Sequence, residues 1–458
     1  MSTPHQAISR RRFLQSIIAA GAAPVFIPAS ALGRDGRPAP SERITMGCLG
    51  FGTIAHSTVR NFLNDERVQV VAIADPAKNL GHYGYQGELR GGREVGAQIV
   101  EAHYAAEKES GKFRGCTQFG DFREMLDRAD IDAVNLSTPD HWHAYMAVAL
   151  ARKKKHIYGQ KPLSLSVAEG RRMVDEVKKA GVTWQTGSQQ RSDVYFRQAC
   201  ELVRNSRLGR LQLIKVGLPG GHKNWSGLAE KKEPSPVPEG FDWEMWQGPA
   251  PRRDYRPALL PLNWRHNYDY SGGMVTDFGA HHIDIVQWAL DMDESGPGKF
   301  ENIHGELPPK DALYNTAPKF HFECVYPGGQ RCVVTDATEK ELGITFIGEN
   351  DRSVSVGRGT IKTNPADLRT REKINPGEIR LYESKQHERN FIDCIYSGQP
   401  TVAPIEAAHR TITIAHLANL GLRLGKSGFT WDPKAEQASD EAVNAMLSRP
   451  HREPWSLA

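Results

Sequence analysis

The hexapeptide Gly50-Phe51-Gly52-Thr53-Ile54-Ala55 has the spacing of a phosphate cradle. In such a turn the first glycine permits a tight bend and the second lets backbone amides approach a pyrophosphate. A small sixth residue allows a helix to pack closely on its strand. The amino end of that helix then turns its unpaired N–H groups toward the phosphates. Asp75 stands 23 residues after Gly52, close to the roughly 20 expected for an acid that accepts hydrogen bonds from an adenine ribose. A carboxylate there repels a 2′-phosphate, so the pattern favours NAD over NADP. Glycine turns also occur in domains that hold no nucleotide, and Asp is common in turns. The flanking elements therefore decide.

A short apolar run, Ile44–Leu49, precedes the turn, and Ala55, Val59, Phe62 and Leu63 recur after it at helical spacing. Residues 68–74 form a second apolar run that ends at Asp75. Further strands are expected at 131–137, 155–158 and 182–186, with a helix over about 142–151. Ser166 with Glu169 has the form of a capping box, and Gly181 suits the end of that helix. Alternating strands and helices predict a doubly wound parallel sheet, a Rossmann domain over 44–190. The Gly- and Tyr-rich stretch 81–92 reads as a loop inserted on this scaffold. From about residue 210 strand-like runs dominate (211–216, 320–326, 331–335, 344–347), which predicts an α+β domain over 191–427 with a large, mostly antiparallel sheet. Residues 219–251 carry six prolines and read as loop. Residues 405–424 read as a helix, and 428–458 as a closing tail containing Trp431 and Trp455. There is no internal repeat.

Residues 9–14, Ser-Arg-Arg-Arg-Phe-Leu, open onto an apolar run that ends near Pro28 and the small-residue site Ala29-Ser30-Ala31. This has the form of a twin-arginine export signal over 1–31, followed by a polar linker over 32–43. The run is shorter than the roughly 20 apolar residues a membrane span needs, so no stable anchor is expected. The expectation is an exported, periplasmic protein that engages the twin-arginine machinery. Loss of Arg10, Arg11 and Arg12 with the signal brings the formal charge of +4 close to neutral, which argues against nucleic acid as a partner. More than 400 residues remain, too many for one core, hence two domains. The six cysteines are scattered with no CxxC pair, so neither a disulfide framework nor a metal site is expected. Cys324 and Cys332 flank Pro327-Gly328-Gly329 and could face each other across a hairpin. His141, His143, His281 and His282 lack the spacing and acidic partners of a metal centre.

Three more segments complete a pattern with Gly50–Ala55: Ser137-Thr138-Pro139-Asp140-His141-Trp142-His143, Gly159-Gln160-Lys161-Pro162, and Gly272-Gly273-Met274-Val275-Thr276-Asp277-Phe278-Gly279-Ala280-His281-His282-Ile283-Asp284. In this order and at these separations the chain, from about residue 44 onward, resembles the Gfo/Idh/MocA group of glucose–fructose oxidoreductase, inositol dehydrogenase and their relatives, in its exported branch. The resemblance implies that Gly50, Phe51, Gly52, Thr53, Ile54, Asp75, Ser137, Thr138, Pro139, His143, Gln160 and Lys161 hold the nucleotide. It implies that Lys161, Asp277 and His281 are catalytic. The group's usual Glu-Lys-Pro is Gln160-Lys161-Pro162 here, which puts the orientation of Lys161 in question. Relatives commonly pair through the second sheet, so a homo-oligomer is implied.

The chemistry suits those residues. Oxidising a carbinol removes a hydride and a proton, and an imidazole titrating near 6.5 is a fitting proton acceptor, hence His281. Asp277, four residues earlier, would orient it or contact a neighbouring hydroxyl. Lys161 would stabilise developing alkoxide charge. Trp225, Trp243, Trp246 and Trp264 are candidate platforms for sugar rings, although tryptophan more often packs in cores. Three readings follow. One is an NAD-dependent oxidoreductase acting on a sugar, polyol or glycoside. Another is a redox-neutral enzyme with retained nucleotide that passes hydride between sugars, or works as a glycosidase by oxidation, elimination, water addition and reduction. The third is a non-catalytic nucleotide-binding or sensing protein. Export favours a tightly held nucleotide, because no steady supply of soluble nicotinamide exists outside the inner membrane.

Overall fold

Central strands of a parallel sheet are covered on both faces and so read as continuous apolar runs. In the computed structural model, which describes residues 38–39, 42–108, 110–371 and 376–457, Ile44–Leu49 is such a strand. The expected export signal and most of the linker lie outside the described residues. The strands from 44 to 190 are β1 (Ile44–Leu49), β2 (Val68–Ala74), β3 (Leu80–Tyr83), β4 (Leu89–Gly91), β5 (Thr117–Phe119), β6 (Ala133–Leu136), β7 (His156–Gly159) and β8 (Trp184–Thr186). Six of them form one sheet in the order β5-β2-β1-β6-β7-β8, every neighbouring pair parallel. The strand order reverses between β1 and β6, and the carboxyl ends of those two strands open the crevice in which sheets of this kind bind ligands.

Among the described residues the helices of eleven or more residues are α1 (Thr53–Leu63), α2 (Arg93–Ala106), α3 (Asp140–Arg152), α4 (Val167–Ala180), α5 (Val194–Arg204), α6 (Gly279–Leu290), α7 (His387–Ser397) and α8 (Ile405–Leu424). Helix α1 buries Ala55, Val59, Phe62 and Leu63 on the sheet, the face its spacing predicts; each large apolar side chain contributes about 1.5–3 kcal/mol. Ser166 Oγ caps α4 by accepting from Glu169 N–H at 3.3 Å, and α4 ends at Gly181 in the left-handed region, φ +67°. Glu169 departs from the capping box: its carboxylate accepts from Leu165 N–H and pairs with Arg449.

The second sheet is built from β9 (Leu213–Pro219), β10 (Lys299–Glu306), β11 (Lys319–Val325), β12 (Arg331–Ala337), β13 (Gly343–Ile347), β14 (Ser353–Gly357), β15 (Thr360–Asn364), β16 (Phe429–Asp432) and β17 (Gln437–Ala438). Their order is β15-β14-β13-β9-β12-β11-β10-β16-β17, antiparallel except for β9 with β12. Residues 428–458 are thus more than a tail: they add two edge strands, and Trp455 packs 4.8 Å from Trp142 of α3. Cys324 and Cys332 are directly opposed in register, as the hairpin turn suggests, and both are buried free thiols. The stretch 81–92 is a β3–β4 hairpin rather than a loop. Within 219–251, Trp243–Gln247 is a short helix.

One buried charge fixes the helix that carries His281. Arg191, 1% exposed, binds Asp284 of α6 bidentately at 2.7 and 2.8 Å and Asp293 at the same distances. Such a fork holds one geometry, and losing a partner would leave a charge buried alone.

Candidate active site

The glycine turn lies where β1 ends beside β6. Gly50 takes φ +79°, and a Cβ there would stand 2.8 Å from the Ser137 carbonyl oxygen, so only glycine fits. Gly52 is the N-cap of α1 with extended backbone and no side-chain cap, which leaves the helix amino end to a ligand. Thr53 and Ile54 follow, and both line the cleft, as do Gly50 and Gly52. Phe51 does not. Its ring is wholly buried in the core, and its N–H is taken by Asp75 Oδ2 at 2.7 Å.

Asp75 holds the turn from the end of β2. Its second oxygen accepts from Ala77 N–H at 2.7 Å, and one lone pair on each oxygen is left over. Burial raises its carboxyl to about 6, against the lowering effect of those two N–H donors and of Arg93. The β3–β4 hairpin lies over the turn. Gly84 N–H donates to Thr53 Oγ1 at 2.9 Å, and a Cβ on Gly52 would meet the Tyr83 ring at 3.0 Å. Tyr83 and Tyr85 both line the cleft.

The opposite wall comes from the ends of β6 and β7. Ser137, Thr138, Pro139, Gln160 and Lys161 line it. Thr138 Oγ1 and Gln160 Nε2 are buried there without a hydrogen-bond partner. Buried polar groups are normally satisfied, so these two await a polar ligand. His143 stands behind this wall and does not line it. Its Nδ1 lies 2.7 Å from the Pro162 carbonyl and its Nε2 2.8 Å from the Thr138 carbonyl. It ties the 137–139 turn to the Lys161–Pro162 segment.

Lys161 faces the cleft. Its Nζ donates to Asp277 Oδ1 at 2.7 Å and to the Asp277 carbonyl at 3.0 Å. Arg265 shares the same carboxylate oxygen at 3.3 Å and stacks 4.3 Å over Trp264. Burial alone would raise Asp277, but the Lys161 and Arg265 charges outweigh it and hold the carboxyl well below its usual range. Asp277 and His281 do not form the cleft surface; they are 5% and 6% exposed. Burial, reinforced by the Lys161 and Arg358 charges, pushes His281 well below its ordinary value, and its Nδ1 has no hydrogen-bond partner. The result is a cation in the wall, a carboxylate beneath it and a neutral imidazole one turn on.

Arg265 and Tyr83 line the cleft although no motif pointed to them, and so does Asp140, which lies inside the Ser137–His143 segment but to which that segment assigns no role. Asp140 is buried and accepts from Ser271 Oγ at 2.5 Å. Of the four tryptophans, Trp246 and Trp264 line the cleft, whereas Trp243 packs on Trp246 at 4.8 Å. Trp225 stands outside it, edge-on to Tyr85 at 6.2 Å. His141 and His282 each place a ring nitrogen against a backbone carbonyl, of Trp246 and Gly217 respectively.

Two family models match the chain, one after the other. Residues 44–188 match the model of an oxidoreductase family's NAD-binding Rossmann fold, and residues 196–457 match that family's C-terminal alpha/beta domain. An uncharacterized oxidoreductase, YrbE, of Bacillus subtilis is 38% identical over 176 residues, 38% of this chain and 44% of that protein. Myo-inositol 2-dehydrogenase of Thermotoga maritima is 34% identical over 98 residues, 21% of this chain and 29% of that protein. The matched stretches thus span less than half of these relatives. Among solved structures, the WlbA dehydrogenase of Bordetella pertussis, in complex with NADH and UDP-GlcNAcA, superposes with a TM-score of 0.59 at 16% identity, over 85% of this chain and 98% of that one. At that identity the likeness is one of fold.

Proposed function

We propose, for a chain that belongs to the Gfo/Idh/MocA oxidoreductase family, that its cleft holds NAD and transfers hydride at a carbinol carbon of a sugar, polyol or glycoside. The observation that carries this reading is the Lys161–Asp277–Arg265 cluster beside a glycine cradle in one cleft.

The residues present fit the cofactor. Gly50, Gly52, Thr53 and Ile54 would hold the pyrophosphate, the spare lone pairs of Asp75 the adenine ribose, and the unpartnered Thr138 Oγ1 and Gln160 Nε2 the polar groups nearer Lys161. Bound NAD supplies the hydride acceptor. Lys161 donates a hydrogen bond to the carbinol oxygen and stabilises the charge that develops there. Asp277 fixes the Lys161 ammonium, and Arg265 fixes Asp277. His281, neutral because of its burial, is the proton acceptor of this reading, and a substrate hydroxyl must reach past the Lys161–Asp277 wall to meet it. Gln160 lacks the carboxylate usual before this lysine, and Asp277 supplies the anionic partner instead.

The signal-like segment 1–31 supports export through the twin-arginine route with nucleotide already bound. It also favours a second reading, a redox-neutral cycle on a glycoside in which the same residues oxidise and later reduce one carbon. In either case the relatives' habit of pairing supports a homo-oligomer. The deciding experiment purifies the protein with no nucleotide added and offers it a panel of glycosides. Released aglycone and the near-ultraviolet absorbance of reduced nucleotide are followed together. A stoichiometric burst of reduced nucleotide that becomes continuous with added NAD establishes the dehydrogenase. Many aglycones released with no net reduction establish the closed cycle, and neither signal overturns both.

A further inference from the structure

Beyond β9 the chain enters a loop that is held at several points. His222 Nε2 donates to the Thr316 carbonyl at 2.9 Å, and His266 Nε2 donates to the Lys223 carbonyl at 3.0 Å. Asn263 Nδ2 donates to Ser226 Oγ at 2.9 Å, and Trp225 stacks on His266 with ring centres 5.5 Å apart. Trp225 is therefore fixed in place, and it stands on a boundary. It meets Tyr85 at 6.2 Å and the Arg265 guanidinium at 5.8 Å, and both of those residues line the nucleotide cleft. Trp225 itself lines a separate pocket, together with Phe278, Lys223, Lys319, Asp336 and Glu306. Phe278 follows Asp277 directly, so one step of backbone separates the partner of Lys161 from the wall of this pocket. Lys161, Asp277, Arg265 and Trp225 form a continuous line of contacts from the reacting position to the pocket.

The lining suits a neutral ligand rich in hydroxyls. Trp225 and Phe278 are half-buried and supply apolar surface. The charges around them balance. Lys319 is paired with Glu306 at 2.9 Å, while Lys223 makes no ion pair among the described residues. Asp336 spends Oδ1 on the Phe320 N–H at 2.9 Å, and its Oδ2 accepts no hydrogen bond among the described residues. A phosphate or carboxylate in this pocket would face Asp336 and Glu306, and an amine would face Lys223 and Lys319. A hydroxyl suffers neither repulsion, because it can donate to a carboxylate oxygen and accept from an ammonium. A few polar groups set among aromatic surface are what orient a small ligand.

We propose that this pocket is a second substrate subsite, and that the substrate carries a further neutral sugar ring beyond the one that reacts at Lys161. The proposal rests on the reading of the cleft as an NAD site for carbinol oxidation. It narrows that reading from sugars, polyols and glycosides in general to di- and oligosaccharides. A single ring at Lys161 leaves Trp225, Phe278, Lys223 and Asp336 to water. A second ring recruits them, and binding energy gained away from the reacting carbon serves to hold that carbon in position.

The test is calorimetric titration of the protein loaded with NADH, a state that cannot oxidise a carbinol. The titrants are disaccharides of α and β linkage, each compared with its constituent monosaccharides. At least one disaccharide binds about tenfold or more tighter than either of its monosaccharides. Trp225→Ala brings that ratio close to one. Lys223→Ala, which alters an exposed side chain and so keeps the fold, lowers it about threefold. Thermal unfolding accompanies both variants. A ratio near one across the whole panel overturns the subsite, as does a ratio that survives in every folded variant. Binding of NADH with no carbohydrate bound overturns it as well and leaves the cofactor reading standing. Failure of the unaltered, folded protein to bind NADH overturns the reading of the cleft and the subsite with it.

Discussion

Lys161 and Asp277 are 116 residues apart in the chain, yet the ammonium sits 2.7 Å from the carboxylate and also reaches the Asp277 backbone carbonyl. The double contact defines the direction of the Lys161 side chain from two points of one residue, and it joins the end of β7 to the segment that leads into α6. Lys161→Ala therefore removes the cleft cation while Arg265 still accompanies the buried Asp277. Turnover is expected to fall by about 10²–10³ or more, with bound nucleotide retained. Single-turnover reduction and the nucleotide content of the purified variant are the two readouts. Near-normal turnover would take Lys161 out of the mechanism.

His281 predicts an unusual acid limb. Burial first, then the Lys161 and Arg358 charges, lower its proton affinity in the folded state, so the imidazole is already neutral where a free histidine, near 6.5, would be half charged. The rate should stay flat as pH falls through 6.5 and decline only at more acid values, and His281→Ala should abolish turnover with NAD still bound. The sign for stability follows the same shift. The unfolded chain takes up a proton that the folded one refuses, so this group's contribution is present above about 6.5 and lost as pH falls. A kcat/KM profile with a limb centred at 6.5 would contradict the assignment.

Asp75 behaves in the opposite sense. Burial raises its carboxyl to about 6 in the folded protein. The folded state therefore holds this proton more tightly than the unfolded one, and the contribution to stability present at low pH is lost as pH rises through about 6. The functional consequence concerns cofactor choice. Repulsion of a 2′-phosphate requires the ionised form, so the preference for NAD over NADP should be full at pH 7.5 and shrink at pH below about 6. Dissociation constants for both nucleotides at two pH values decide it; a ratio independent of pH would assign the discrimination elsewhere.

How far the site could be read from the chain depended on sequence distance. The cradle and Asp75 were legible because a strand, a glycine turn, a helix and a second strand follow one another within about thirty residues, and each imposes a local pattern. Helix α8 was legible over its whole length, 405–424, for the same reason. Arg265 was not, because it approaches Asp277 through a loop of short single-turn segments that carries no periodicity. Tyr83 looked like part of a loop because its two strands are only four and three residues long. Phe51 and His143 show the reverse error: their motif positions suggested the nucleotide, but the ring of one is core and that of the other binds two carbonyls behind the wall. The edge strands of 428–458 depend on pairing with β10, more than a hundred residues earlier, which no local signal reveals.

The two glycines of the cradle should fail in different ways when replaced. Gly50 has φ +79°, and a Cβ would lie 2.8 Å from a backbone oxygen of Ser137 that cannot move without disturbing β6. Gly50→Ala thus combines a left-handed conformation with a backbone clash, and a loss of about 1–3 kcal/mol of stability is expected from the strained backbone alone. Gly52 has φ −106°, which any residue adopts, and a Cβ there would meet only the side chain of Tyr83, at 3.0 Å. Gly52→Val should therefore fold with nearly unaltered thermal stability while its branched side chain occupies the approach that a pyrophosphate needs. Thermal unfolding and nucleotide content, measured on both variants, separate the two effects. Gly52→Val purified with stoichiometric NAD would show that the phosphates do not sit on this turn, and Gly50→Ala with unchanged stability would show that the turn relaxes where its packing against Ser137 says it cannot.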